Sequence, residues 1–143
     1  MSDPSAIDML LTTARSQLDR VDPVDLSDEI TAGALLIDTR PVEQRQRDGA
    51  LSGAIVIDRN VLEWRLDLSS PFRIPQITSV DQRIIIVCDQ GYSSSLAAAT
   101  LRQLGMLRAT DLIGGFQALL LAGHRLTGGE TKPNALPDQR RQV

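Results

Sequence analysis

The chain has very few of the residues from which protein sites are most often built. Its 143 residues include one cysteine and one histidine, and aromatic residues make up 3%. One cysteine excludes an internal disulfide, and together with one histidine it cannot supply the usual zinc-binding clusters. The scarcity of aromatic residues means that the core must be aliphatic. We therefore expect no metal site and no cofactor.

The sequence also has no excess of positive charge and no long hydrophobic run. Its formal net charge of −3 argues against nucleic acid or an anionic membrane surface as the partner. No apolar run is long enough to span a membrane and no signal peptide is recognisable, so we expect a cytoplasmic protein. The length suits one domain, and the expected partners are small molecules or proteins.

The most informative stretch of the chain is 83–105. The four β-branched residues at 84–87 are typical of a central parallel strand with helices on both faces. Cys88 ends this strand, polar and glycine residues follow at 89–94, and apolar residues then recur at helical spacing. The serines at 93–95 are candidate N-caps, and Gly105 suits the end of the helix.

Cys88 thus lies between the carboxyl end of a strand and a helix N-terminus. Ligands of open α/β sheets bind outside the carboxyl ends of the strands, and a helix N-terminus favours an anion. A thiol at this position is biased toward the nucleophilic thiolate. The alternative is an inert, buried cysteine, which is common at the end of an apolar strand.

The rest of the sequence predicts an α/β fold with a parallel sheet of about five strands and helices on both faces. Strands are predicted at 34–38, 54–57, 84–87 and 110–113, with an extended piece around Val24. Helices are predicted at 4–21, 27–33, 42–47, 61–66, 93–104 and 116–123. The first helix has one apolar stripe, formed by Ile7, Leu10 or Leu11, Ala14, Leu18 and Val21. We expect it to pack on the domain, or alternatively to bind a partner or form a homodimer.

Several polar or aromatic side chains allow two interpretations. Asp38 and Arg40 either pair with each other to fix a loop, or Arg40 or Arg59 supplies positive charge to the site, with Asp58 beside it. Trp64 is expected to fill the core, or else to line the mouth of a pocket. Tyr92 belongs either to a pocket wall or to the surface, and His124 is expected at a solvated helix end rather than in catalysis.

Four segments in this order resemble the single-domain rhodanese, or sulfurtransferase, family. They are L-I-D-T-R-P, G-A-L-S-G-A-I-V-I-D, I-V-C-D-Q-G-Y-S-S-S-L-A-A-A-T-L-R-Q-L-G and L-I-G-G-F-Q-A-L-L-L-A-G, and the resemblance covers about Leu26 to Gly128. It implies that Cys88 attacks the outer sulfur of a donor, carries it as a persulfide and passes it to a thiol acceptor. It also implies a rhodanese-like domain over 23–128, between an N-terminal helical segment (1–22) and a flexible tail (129–143).

The resemblance assigns roles to the residues around the cysteine. The loop residues have backbone N–H groups that surround the transferred sulfur, and Asp38 and Arg40 match the family's acid-x-arginine, with Arg40 as a substrate contact. Asp58 and Arg59 are chosen instead because they follow the strand at 54–57, and we expect them, like Asp38, to support the site. The loop residues in question are Asp89, Gln90, Gly91, Tyr92, Ser93 and Ser94.

The sequence departs from the family pattern at two places. Ser93 stands where family loops commonly carry an arginine, and Ala50 and Ser52 replace a common His and Pro in a turn. Without the loop cation we expect weak activity with thiosulfate, and a small-molecule or protein-bound persulfide as the donor. A catalytically silent interaction module is the alternative. A phosphatase or arsenate reductase is disfavoured, because the loop has no arginine to bind phosphate oxygens.

Overall fold

The computed structural model describes residues 3–123, whose strands form one parallel sheet. Its four strands lie in the spatial order β2-β1-β3-β4. They are β1 (Leu35–Asp38), β2 (Ile55–Val56), β3 (Ile84–Val87) and β4 (Ala109–Asp111). The predicted tail at 129–143 and His124 lie outside the described residues.

The helices lie before, between and after the strands along the chain. They are α1 (Ala6–Ser16), α2 (Leu26–Thr31), α3 (Val42–Asp48), α4 (Leu62–Leu66), α5 (Ser93–Gln103) and α6 (Gly115–Leu121), with 3-10 turns at Pro23–Asp25 and Arg59–Val61. Among the described residues, no helix is both long and apolar enough to cross a membrane.

The continuous apolar run of β3 reflects burial on both faces of the sheet. Ile84 and Ile86 belong to one core cluster, which includes side chains of α4 and α5. Ile85 and Val87 belong to a second cluster, which includes side chains of α2 and α6. The predicted α/β fold with helices on both faces is therefore confirmed. It places the carboxyl end of β3, and so Cys88, in the middle of one edge of the sheet.

The extended piece predicted around Val24 does not form a strand in residues 3–123, so the sheet has four strands rather than about five. Val24 lies in the 3-10 turn Pro23–Asp25 and is 79% exposed, and its N–H binds the side chain of Asp22. Pro23 has no N–H to donate to a sheet, which explains why the extended segment stops there. A single bridge between Val21 and Leu112 is all that remains of the expected pairing.

Helix α1 is shorter than the predicted 4–21 and buries a narrower stripe. Leu11 and Ala14 are buried, and the helix packs against α5. Ile7 and Leu10, which were placed on the same stripe, are more than half exposed. The chain continues past Ser16 in irregular conformation and crosses the surface toward the end of β4.

Candidate active site

Cys88 follows β3 directly and lines a cleft of about 330 Å³ at the carboxyl edge of the sheet. The residue is 6% exposed. The walls come from the loop after β1, from α3 and from the loop that begins at Cys88. The lining residues are Thr39, Arg40, Pro41, Gln44, Cys88, Asp89, Gln90, Tyr92 and Ser93.

A backbone amide contacts the sulfur directly. The N–H of Gly91 donates to Sγ of Cys88 across 3.1 Å, which closes the loop back onto the thiol. Gly91 has φ +84°, a conformation that disfavours any side chain. The thiol of Cys88 is thus a hydrogen-bond acceptor at the base of a cleft.

Helix α6 holds the loop from the opposite side. The N–H groups of Phe116 and Gln117 donate to the carbonyls of Cys88 and Asp89 at 2.9 and 3.0 Å. The described chain has no cis peptide bonds, so each of these carbonyls is opposed by an N–H that points to the other side of the loop. Pairing with α6 therefore turns the carbonyls away and leaves amide hydrogens for the other side.

The three serines do not cap α5 as predicted. The helix begins at Ser93 without a side-chain cap, and the hydroxyls of Ser94 and Ser95 instead donate to Oδ2 of Asp111, each at 2.7 Å. Asp111 is fully buried at the end of β4, and a buried carboxylate needs donors more than the helix N-terminus needs acceptors. The serines therefore bind the first turn of α5 to β4.

Two arginines from the N-terminal segment complete this network, and the sequence did not reveal them. Arg15 and Arg20 donate to the carbonyl of Gly91 at 2.7 and 3.1 Å. Arg20 also pairs with Asp111 at 2.8 Å. Asp111 ends β4 as Asp38 ends β1, and an acid at a strand end is the sequence feature that could have pointed to this carboxylate. The arginines lie more than 70 residues before Gly91, and no local pattern marks them.

Asp38 and Arg40 form a buried ion pair at the end of β1. Nε and Nη2 of Arg40 donate to the carboxylate at 3.1 and 2.9 Å, and Nη2 also donates to the carbonyl of Gly49. The guanidinium lies 3.6 Å from the ring centroid of Phe116, and its side chain is 0% exposed. Of the two interpretations, the geometry favours the one in which the pair fixes the loop.

The acidic loop residue Asp89 is shielded by its neighbours. Its carboxylate accepts from Gln117 at 3.0 Å and lies 3.3 Å from Nη2 of Arg47. Arg47 also binds Asp48 at 2.6 Å, and this hydrogen bond lowers the pKa of Asp48 despite a desolvation that raises it. The rim of the cleft beside Asp89 therefore has one cation shared between two carboxylates.

The remaining predicted residues lie away from the cleft lining. Asp58 caps a 3-10 turn through the N–H of Asn60, and Arg59 pairs with Glu63 at 2.8 Å. Trp64 is 55% exposed on α4 and does not line the cleft, so the prediction of a core residue is wrong. The buried positions of α4 are taken by Leu62, Arg65 and Leu66, and Trp64 lies on the exposed side of this helix.

The residues that line the cleft determine which chemical groups it can offer. Among residues 3–123, no three His, Cys, Asp or Glu side chains are grouped so that they hold a metal ion. Of the nine residues that line the cleft, Arg40 is the one cation, and it is buried against Asp38. What the cleft offers is a thiol, backbone amides, uncharged polar side chains and one carboxylate, that of Asp89.

Comparisons with known proteins identify the family. The model of the rhodanese-like domain matches residues 22–122, and a search of the curated proteins finds no match. A solved structure from Rhodopseudomonas palustris, described as a protein of unknown function and possible tyrosine phosphatase, is 26% identical with a TM-score of 0.75. The match covers 92% of this chain and 98% of that one.

Two further structures have the same fold. A rhodanese-related protein from Thermoplasma volcanium is 25% identical with a TM-score of 0.57, over 73% of this chain and 93% of that one. A human single-domain sulfurtransferase is 23% identical with a TM-score of 0.61, over 71% and 95%. Because the family model matches most of this chain, the chain belongs to the rhodanese-like domain family.

Proposed function

We propose that the protein is a sulfurtransferase that carries a sulfane sulfur as a persulfide on Cys88. The observation that supports this most directly is the Gly91 N–H donated to Sγ at the base of an open cleft. A thiolate and a terminal persulfide are both anions, and amide hydrogens that already point at the sulfur stabilise them without rearrangement. Membership of the rhodanese-like family supports the same chemistry.

The reaction consists of two displacements at sulfur. The Cys88 thiolate attacks the outer sulfur of a donor R–S–SH, the donor S–S bond breaks, and R–S⁻ leaves while Cys88–S–SH forms. An acceptor thiolate R′–S⁻ then attacks the outer sulfur of this persulfide. The products are R′–S–SH and the regenerated Cys88 thiolate, so neither step needs an oxidant or a general base.

The lining of the cleft supports a persulfide rather than thiosulfate as the donor. Ser93 provides no charge, and Asp89 adds a carboxylate to the rim. Arg40 pairs with Asp38 through Nε and Nη2, and its remaining nitrogen, Nη1, has no hydrogen-bond partner but is itself buried. A dianion would therefore lack a charge-assisted partner, and such a hydrogen bond is worth about 1.5–3 kcal/mol. This corresponds to roughly a tenfold to hundredfold difference in affinity.

The chemistry also favours particular partners and a particular compartment. A low-molecular-weight or protein-bound persulfide would donate, and a thiol would accept the sulfur. We expect this exchange in the cytoplasm, because a reducing compartment maintains the thiol on which each cycle depends.

Intact-mass spectrometry tests the proposal directly. The purified chain is incubated separately with thiosulfate, glutathione persulfide and inorganic polysulfide, and Cys88→Ser is the control. We expect a gain of one sulfur atom with the persulfide or polysulfide, less with thiosulfate, and none in Cys88→Ser. Transfer of the label to added glutathione would establish turnover. If no donor produces an adduct, the protein is instead a silent interaction module.

A phosphatase activity is a separate possibility, and a hydrolysis assay with the same two proteins tests it. The Rhodopseudomonas palustris protein is described as a possible tyrosine phosphatase. Phosphoryl transfer needs cations around the equatorial oxygens, and the segment 88–93 of this chain contains none. Hydrolysis of p-nitrophenyl phosphate that disappears in Cys88→Ser would contradict our proposal.

A further inference from the structure

The carbonyl of Gly91 accepts hydrogen bonds from two cations that precede the family domain. Nη2 of Arg15 lies at 2.7 Å and Nη2 of Arg20 at 3.1 Å from this oxygen. Arg15 belongs to α1 and Arg20 to the segment after it, whereas the family match starts at residue 22. The same glycine donates its N–H to Sγ of Cys88, so the two cations act one residue from the sulfur contact.

Both arginines are fixed by further contacts. Arg20 binds both oxygens of the buried Asp111, at 2.8 and 3.2 Å. Nε of Arg15 donates to the hydroxyl of Ser95 at 3.1 Å, and its guanidinium lies 5.6 Å from the ring centroid of Tyr92. Because Ser95 also donates to Asp111, one carboxylate organises the network behind the loop.

This arrangement determines how the peptide between Gly91 and Tyr92 is oriented. A trans peptide places its N–H opposite its carbonyl, so fixing the Gly91 carbonyl toward the arginines turns the Tyr92 N–H to the other side. Tyr92 lines the cleft. Two cations on the carbonyl also polarise the peptide, which strengthens that N–H as a donor.

We propose that Arg15 and Arg20 are positioning residues for the persulfide chemistry of Cys88. They hold the Gly91 carbonyl out of the cleft and place positive charge next to the loop, which has no cation of its own at Ser93. The proposal rests on the proposed function for its catalytic consequence. Its effect on the thiol itself can be measured without any sulfur donor.

Alkylation of Cys88 by iodoacetamide across a pH series provides that measurement. In Arg15→Met we expect the rise of the rate to move to higher pH, and the rate at neutral pH to fall about tenfold, as for a lost charge-assisted interaction. Arg15→Lys should recover most of the loss, because the charge remains. The other charged groups near the cleft are the same in every variant: Asp38, Arg40, Arg47, Asp48 and Asp89.

Arg102→Met is the matched control. Arg102 also binds a carbonyl and a carboxylate, those of Ala109 and Asp19, but it contacts no residue of the cleft. Its alkylation profile should equal that of the wild type. An Arg15→Met profile equal to the control, with the protein folded, would overturn the proposal.

Persulfide formation separates this idea from the proposed function. If the wild type takes up sulfur, Arg15→Met and Arg20→Met should do so about tenfold more slowly than Arg102→Met. If Arg20→Met fails to fold because Asp111 loses its cation, the double variant Arg20→Met, Asp111→Asn replaces it. If the wild type takes up no sulfur, the proposed function fails, and the alkylation profiles still decide the role of the arginines.

Discussion

Gly115, the first residue of α6, is the position where one methyl group should disturb the active-site loop most. A Cβ there would lie 2.5 Å from the carbonyl oxygen of Cys88, 2.7 Å from that of Asp89 and 2.7 Å from the amide nitrogen of Gly91. All three are backbone atoms, so no side chain can rotate away. Gly115→Ala must therefore move α6 or the loop.

Gly53→Ala isolates the part of this cost that comes from backbone conformation alone. Gly53 has φ +80° and Gly115 has φ +62°, but a Cβ at Gly53 meets nothing within 4 Å. A left-handed conformation costs a non-glycine residue about 1–2 kcal/mol. At Gly115 the displaced backbone adds roughly 1–3 kcal/mol, the usual cost of overpacking. We expect about 1–2 kcal/mol for Gly53→Ala and about 2–5 kcal/mol for Gly115→Ala.

Urea unfolding and persulfide formation test this comparison together. Gly53→Ala should keep the wild-type rate of sulfur uptake, because it lies outside the cleft lining. In folded Gly115→Ala the rate of sulfur uptake should fall at least about tenfold, because a shifted loop that raises the activation free energy by about 1.4 kcal/mol is enough for that. Equal stabilities and equal uptake rates for the two variants would refute the claim that α6 fixes the loop by direct backbone contact.

Two further predictions concern charge. Ser93→Arg should raise kcat/KM for thiosulfate about tenfold. The control is Ser27→Arg, which replaces an exposed serine in the first turn of α2 and should leave kcat/KM unchanged. An unchanged or lower kcat/KM for Ser93→Arg would contradict our account of that position. Burial raises the pKa of Asp19, but the hydrogen bond and charge of Arg83 outweigh it and hold the pKa below 3.8. The stabilisation by Asp19 should thus be present at pH 7 and be lost as the pH falls below about 4. The side chain of Asp19 is 66% exposed, so Asp19→Asn should lower the free energy of unfolding by less than about 1 kcal/mol at pH 7. Urea unfolding at pH 7 and pH 3 measures this difference, and a difference that is the same at both pH values would contradict the prediction.

The elements that the sequence predicted well are those whose pattern is set by local burial. The run at 84–87 is apolar throughout because helices cover both faces of β3. The piece around Val24 and the stripe of α1 depended on tertiary contacts. Val21 reaches the sheet for one bridge before Pro23 ends the pairing, and Ile7 extends beyond the surface that α5 offers.

The candidate site divides in the same way. The position of Cys88 follows from strand and helix order, and the pairing of Asp38 with Arg40 follows from the rule that buried acids are paired. The contacts at Gly91 do not follow from either rule. They join segments that are distant in sequence, and an arginine in an amphipathic helix gives no sign of whether it faces solvent or a carbonyl.

The loop at Cys88 is held by two supports that differ in chemistry and in relation to the family domain. Helix α6 fixes the carbonyls of Cys88 and Asp89 through backbone amides, and this support lies within the matched region. Arg15 and Arg20, which lie outside the matched region, fix the Gly91 carbonyl through their side chains. Backbone pairing depends on the fold alone, whereas the second support can be gained or lost by substituting two residues. Our proposal therefore gives the N-terminal segment contacts through which the reactivity of Cys88 would change without any substitution in the matched region.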